Sequence, residues 1–173
     1  MREPVNLLPR RPRPDAAATV DPVVRLCCFA VGKEEYALDI MRVEEILPPQ
    51  RVISVPHAPS FVEGMLHLRG ALLPVVDLRQ RLSTAEAALG PRTRLLVCLL
   101  GQRRLALRVD RVTEVMRVRR SEIKPAPPLL SAGRAPFVVG VCGTQERPRL
   151  LLDIKALLRA QVERETKRTG GVE

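Results

Sequence analysis

The chain of 173 residues has no tryptophan, one tyrosine and three phenylalanines, so flat rings on which bases or sugars stack are nearly missing. That weighs against single-stranded nucleic acid as a ligand. Histidine is also scarce: His57 and His67 are the two, and neither has a metal-ligating partner at a workable spacing. The four cysteines, Cys27, Cys28, Cys98 and Cys142, form no C-x-x-C pair, which excludes a zinc ribbon and a dithiol redox motif. All four lie in apolar, strand-like runs. Cys27 and Cys28 would face opposite sides of a strand, so the set reads as the reduced core of a cytosolic protein. No apolar stretch approaches the ~18 residues needed to cross a bilayer. A Gly-rich phosphate loop, a G-x-S-x-G elbow and a Cys/His pair are all missing, so no enzyme activity, cofactor or metal is expected.

What is abundant is leucine, valine and arginine. A hydrophobic fraction of 46% supports a real core. The net charge is +10, and arginine outnumbers lysine 25 to 4. Between Arg92 and Lys124, ten basic residues face only Asp110, Glu114 and Glu122. This surplus reads first as the solvated strand face of an arginine-biased chain. The alternative is a partner surface, with Arg103, Arg104, Arg117, Arg119 and Arg120 as candidates, for an acidic protein, a nucleic acid or an anionic membrane. Nucleic acid is the weaker choice without aromatics or a recognition helix.

The chain repeats itself. When Phe29–Leu47 is set above Cys98–Met116, Gly32 falls on Gly101, Ala37-Leu38 on Ala106-Leu107, Arg42-Val43 on Arg111-Val112, and Glu45 on Glu114. Each copy is an apolar strand, a glycine turn and a second strand ending in R-V-x-E. Further on, FVEG at Phe61–Gly64 resembles FVVG at Phe137–Gly140, and Asp77 matches Asp153. Two β-rich units of roughly 70 residues follow, with the turn spacing of small barrels. Neither unit alone would bury much surface, so they are expected to pack together and leave a groove at the seam.

The expected boundaries are a disordered Pro/Arg-rich arm over 1–22, a first unit over 23–82, a linker over 83–91 and a second unit over 92–153. Gly90-Pro91 stops any helix begun at Ser83. Residues 154–173 make a C-terminal amphipathic helix and tail, with Ile154, Leu157, Leu158 and Val162 on one stripe and Asp153 as N-cap. Asp77 caps a shorter turn. Because Asp77 and Asp153 are repeat equivalents, capping accounts for both, and an acid–base role for them or Asp110 with His57 or His67 has no support. Pro56, Pro59, Pro125 and Pro127 terminate strands.

The order of the pieces, EEYALDIMRVEEIL, SVPHAPSFVEGMLHLRGALLPVVDLR, GQRRLALRVDRVTEV, IKPAP, FVVGV and LLLDIKALL, spans almost all of residues 24–160 and resembles the CheW family of bacterial chemotaxis coupling proteins. The resemblance implies a mainly β fold of two SH3-like five-stranded barrels without catalysis. It implies two partners, the cytoplasmic tip of a chemoreceptor and the regulatory domain of a CheA-type histidine kinase, met in the cytoplasm within receptor–kinase clusters. It also implies a receptor groove at the V-x-E-I and L-R-G elements, here Val43, Glu45 and Ile46 with Arg69 and Gly70. His67 stands where the family commonly has asparagine, and the charge of +10 departs from the usual acidic or neutral members. A dedicated accessory system with an acidic partner surface fits that charge.

Strand alternation puts Leu66 and Leu68 on one face and Met65, His67 and Arg69 on the other, with Gly70 permitting a tight turn. Arg69 would then stand at a rim, binding a partner's helix or pairing internally with Glu45. Glu45 is ambiguous, since its repeat in Glu114 argues as strongly for a fold-building role. Val43 and Ile46 are either core or groove residues. Three functions remain: an adaptor joining receptor to kinase, an accessory protein keeping one contact and using its basic second unit on an acidic partner or nucleic acid, or a competitor that occupies the receptor or the kinase and uncouples the pair.

Overall fold

The computed structural model describes residues 20–82, 89–128 and 137–159 of the chain. Its strands begin with a hairpin of β1 (Val23–Val31) and β2 (Glu34–Asp39), turned at Gly32. From Leu26 onward β1 is buried on both sides, and alternation divides its residues between two cores: Cys27, Phe29 and Val31 enter one, Leu26 and Cys28 the other. After a 3₁₀ turn at Ile40–Arg42 come β3 (Val43–Leu47), β4 (Val52–Ile53), β5 (Val62–Leu68), β6 (Ala71–Asp77) and the one-turn helix α1 (Leu78–Arg81). The second series is β7 (Arg94–Leu100), β8 (Arg103–Val109), β9 (Arg111–Arg119), β10 (Lys124–Pro125), β11 (Val138–Gly143), β12 (Pro148–Leu152) and helix α2 (Ile154–Arg159).

The strands form two six-stranded sheets, ordered β10-β11-β12-β2-β1-β9 and β4-β5-β6-β8-β7-β3. Under the sequence repeat these orders are the same: β7–β8 answers β1–β2, β9 answers β3, and β10–β12 answers β4–β6. Each sheet therefore takes its leading hairpin from the other repeat. The joins are the parallel pairs of β12 with β2, where Leu150 faces Tyr36, and of β6 with β8, where Val75 faces Ala106. The expected layout of two β modules with a terminal helix is present. Instead of closed five-stranded barrels, the modules are open sheets of six, because the exchanged hairpin adds two strands to the four that remain.

A large shared core fills the space between the sheets, with Phe29, Tyr36 and Leu38 from one meeting Leu96, Leu105 and Leu107 from the other. Smaller cores, around Leu26 and Cys28 and around Leu66 and Val75, are each built within a single sheet. Arg81 sits between the repeat-equivalent rings of Phe61 and Phe137, 5.3 and 4.9 Å from their centroids, and its Nε donates to Leu157 O at 2.9 Å. One cation thus ties both units to α2. All four cysteines are free and buried, and burial pushes the Cys28 and Cys98 thiols up to about 12.

The repeated FV-x-G has a steric cause. A Cβ on Gly64 would lie 2.2 Å from Ile53 O, and one on Gly140 would lie 3.0 Å from Lys124 O. Only glycine lets the short strands β4 and β10 cross this closely. Residues 1–19 of the expected arm, 83–88 of the linker and the tail with Val162 lie outside the described residues. Asp21 and Pro22 belong to the folded body: Asp21 accepts from Ser121 N at 3.1 Å, and Arg120 N donates to Pro22 O at 2.9 Å.

Candidate functional site

The β5–β6 hairpin closes through a two-residue turn, Arg69-Gly70, with φ of +48° and +82°. Positive φ at both central positions marks the type I′ turn, whose twist matches that of the strands it joins. Glycine takes this backbone freely. For Arg69 it costs on the order of 1 kcal/mol. That residue is also highly exposed, its side chain 72% accessible.

Arg69 pairs with Glu45 through a two-pronged contact, Nη1 to Oε1 and Nη2 to Oε2, both 2.9 Å. Glu45 is on β3, an outer strand, and the turn joins β5 and β6, which are separated from β3 in the same sheet by β7 and β8. The pair therefore bridges the open side that no backbone ladder closes. Of the two readings open for Arg69, a partner's helix or Glu45, the internal pair with Glu45 is present in the fold, and the side chain stays largely in solvent. Glu114, the repeat equivalent of Glu45, meets Arg149 of β12, which also donates from Nε to Glu35 Oε2 at 3.1 Å. Both repeated glutamates clamp their sheets.

The remaining motif residues do not share one surface. Val43 packs against the shared core. Ile46, on the strand face opposite Glu45, lines a cleft with Arg92, Arg94 and Arg111. His67 is exposed on β5, across from Leu72 of β6.

Leu72 opens onto a feature that sequence reasoning missed. An apolar cleft of about 740 Å³ runs between β6, β8 and α2, floored by Phe61, Leu72, Pro74, Leu105 and Leu158 and rimmed by Arg103, Arg104, Lys155 and Arg159. Leu72 is 60% exposed there. Its alternation with Leu73 was visible in the strand, but nothing in the sequence brought Leu158 beside it.

The five arginines considered as one basic surface are split between sheets. Arg103 and Arg104 open β8, and Arg104 pairs with Glu44 at 2.8 Å. Arg117 and Arg119 lie on outer strand β9, opposite Arg25 and Val23, with Arg120 in the 3₁₀ turn that follows. Arg108, also in the basic stretch, is neutralised inside the fold by Glu63 at 3.1 Å and by Asp77, and outside that stretch Arg79 pairs with Asp110. Burial pushes the Glu63 carboxyl up, against the pull of Arg108.

Asp77 and Asp153 are helix caps, accepting from Arg79 N at 2.9 Å and Lys155 N at 2.8 Å. Among the described residues no group of His, Cys, Asp and Glu is arranged to hold a metal, and no helix is long and apolar enough to cross a membrane. The geometry is that of a binding module: clamped β-sheets, an apolar cleft and charged rims.

Comparison with known proteins agrees. The CheW-like domain family matches residues 25–162. The Chemotaxis protein CheW of Rhizobium meliloti is 34% identical over 81% of this chain and 90% of its own length, and that of Klebsiella aerogenes is 32% identical over 77% and 80%. Protein FrzA of Myxococcus xanthus is 36% identical over 84% and 92%. Among solved structures, the scaffolding protein TtCheW from Thermoanaerobacter tengcongensis superimposes with a TM-score of 0.73 at 27% identity, covering 79% of this chain and 92% of that one. The chain belongs to the CheW-like family, a family of scaffolds and not of enzymes.

Proposed function

We propose that the protein is a non-catalytic adaptor that couples a methyl-accepting chemoreceptor to a CheA-type histidine kinase in a cytoplasmic chemosensory cluster. The observation that carries this reading is the apolar cleft beside the Arg69 turn. Its floor, with Leu72 exposed, suits the apolar stripe of an amphipathic receptor helix, and its basic rim suits acidic residues flanking that stripe. Arg69, already held by Glu45, keeps donors free at the end of the same hairpin. The kinase regulatory domain takes a separate face, so that both partners bind at once and a change at one interface alters the free energy of the other.

The test is reconstitution of kinase activity from receptor, kinase and this protein, with calorimetry of each binary pair. Leu72→Asp and Arg69→Glu should each weaken the receptor fragment by about tenfold or more while leaving the kinase fragment bound. If neither fragment binds the wild type, the reading fails. A second reading, a protein retaining one of these contacts with its basic unit on an acidic partner or nucleic acid, is favoured by Arg25 and Arg117 facing each other on β1 and β9, neither in an ion pair among the described residues. It predicts steep salt dependence on duplex DNA and indifference to Arg69.

A further inference from the structure

A second cleft, of about 370 Å³, opens between the two sheets beside their outer strands β3 and β9. Its basic lining comes from Arg92, Arg94 and Arg111 of the second repeat and from Arg147 of the β11–β12 turn. Arg92 has no ion pair among the described residues, and Arg94 Nη1 donates only to the backbone oxygens of Pro91 and Thr93, at 3.0 and 2.7 Å. Arg111 reaches Glu35 only at 4.0 Å, and that carboxylate is already engaged by Arg147 and Arg149. Among the described residues the positive charge here is under-neutralised, and the guanidiniums repel one another until an anion arrives. Thr113, which also lines the cleft, holds a buried hydroxyl without a hydrogen-bond partner. An unmet group of this kind favours a ligand that can satisfy it.

The rest of the lining selects among anions. Ile46 and Val112 supply an apolar wall, and Ile46 is 41% exposed. No aromatic ring is present to stack a base, and a simple phosphate would gain nothing from the apolar wall. We infer that this cleft binds an extended acidic segment of a partner protein, its carboxylates on Arg92 and Arg111 and its apolar side chains on Ile46 and Val112. An extended chain presents these two kinds of side chain on alternate faces, which matches a cleft with one charged and one apolar side. The inference does not rest on the adaptor reading, because the lining specifies the chemistry of the segment whichever protein carries it.

The experiment titrates the full chain into a fluorescein-labelled peptide of alternating glutamate and leucine at low, matched ionic strength, read by anisotropy. Saturable binding is expected, weakened about tenfold or more in the double variant Arg92→Glu/Arg111→Glu. It should be little changed in Arg117→Glu/Arg119→Glu, which alters net charge equally on β9 away from the cleft. Thr113→Val preserves shape, so it should hold the melting temperature and weaken the peptide about threefold; affinity equal to wild type there counts against the cleft. Equal weakening by the two double variants, no saturable binding, or displacement by tripolyphosphate at lower concentration than by unlabelled peptide would each overturn the proposal.

Discussion

Glu45 and Glu114 occupy the same place in two copies of one sequence, yet they hold different arginines. In one sheet the partner is Arg69, at a strained turn and mostly in water; in the other it is Arg149, whose side chain is only 8% accessible and which serves Glu35 as well. The acid is common to both copies because an open, curled sheet needs a strap across its gap. The base differs because the copies have diverged. One keeps a cation buried as pure structure, while the other places it where a second molecule can reach it. A residue repeated in both units is therefore weak evidence for binding, and an unrepeated partner held at a backbone cost is stronger evidence.

This contrast can be tested most forcefully at Arg149. Arg149→Met leaves Glu35 to Arg147 and removes the buried cation that holds Glu114, and should lower stability by about 2 kcal/mol in urea unfolding. Arg69→Met, at an exposed pair, should lower it by at most about 1 kcal/mol. Equal losses would erase the distinction between strap and binding tip. A sharper version is Arg69→Asn, since asparagine accepts the left-handed backbone that arginine resists. Stability should stay within about 1 kcal/mol of wild type while receptor-fragment binding falls; unchanged binding would leave the exposed guanidinium without a task. The smallest effect concerns Glu35. Burial pushes its carboxyl up, but the Arg147 and Arg149 guanidiniums outweigh this and hold it below its ordinary value of 4.5. A lowered folded value means the stabilisation is complete above the ordinary value and is lost as pH falls through the folded one. Thermal melts from neutral pH to about pH 3 should show a shallower acid limb for Glu35→Gln, and a parallel limb would mean that the buried pairing contributes nothing.

Much of this was legible beforehand. The glycine turns, the aspartate caps, the four core cysteines and the Arg69-Gly70 tip all follow from short-range rules, because a turn or cap is decided within a few residues. The hairpin exchange was not legible. Two similar copies present the same edges, and nothing local says whether β2 pairs with its own unit or with β12. The partners of the arginines were hidden for a related reason. Arg81, Arg108 and Arg149 look like solvent charges in a list of residues, but distant elements bring two rings to the first and carboxylates to the others. The apolar cleft was hidden likewise, since Leu72 and Leu158 meet only in the folded chain.

The parallel joins set a timetable for synthesis. When the ribosome has delivered β1 and β2, that hairpin has no neighbour on either flank: β9 is still to come for one side and β12, ending at Leu152, for the other. The first sheet can be completed only as the last strand emerges, so the nascent chain carries two bare edges for most of its translation. Such a protein should fold slowly for its size and depend on protection while it is being made.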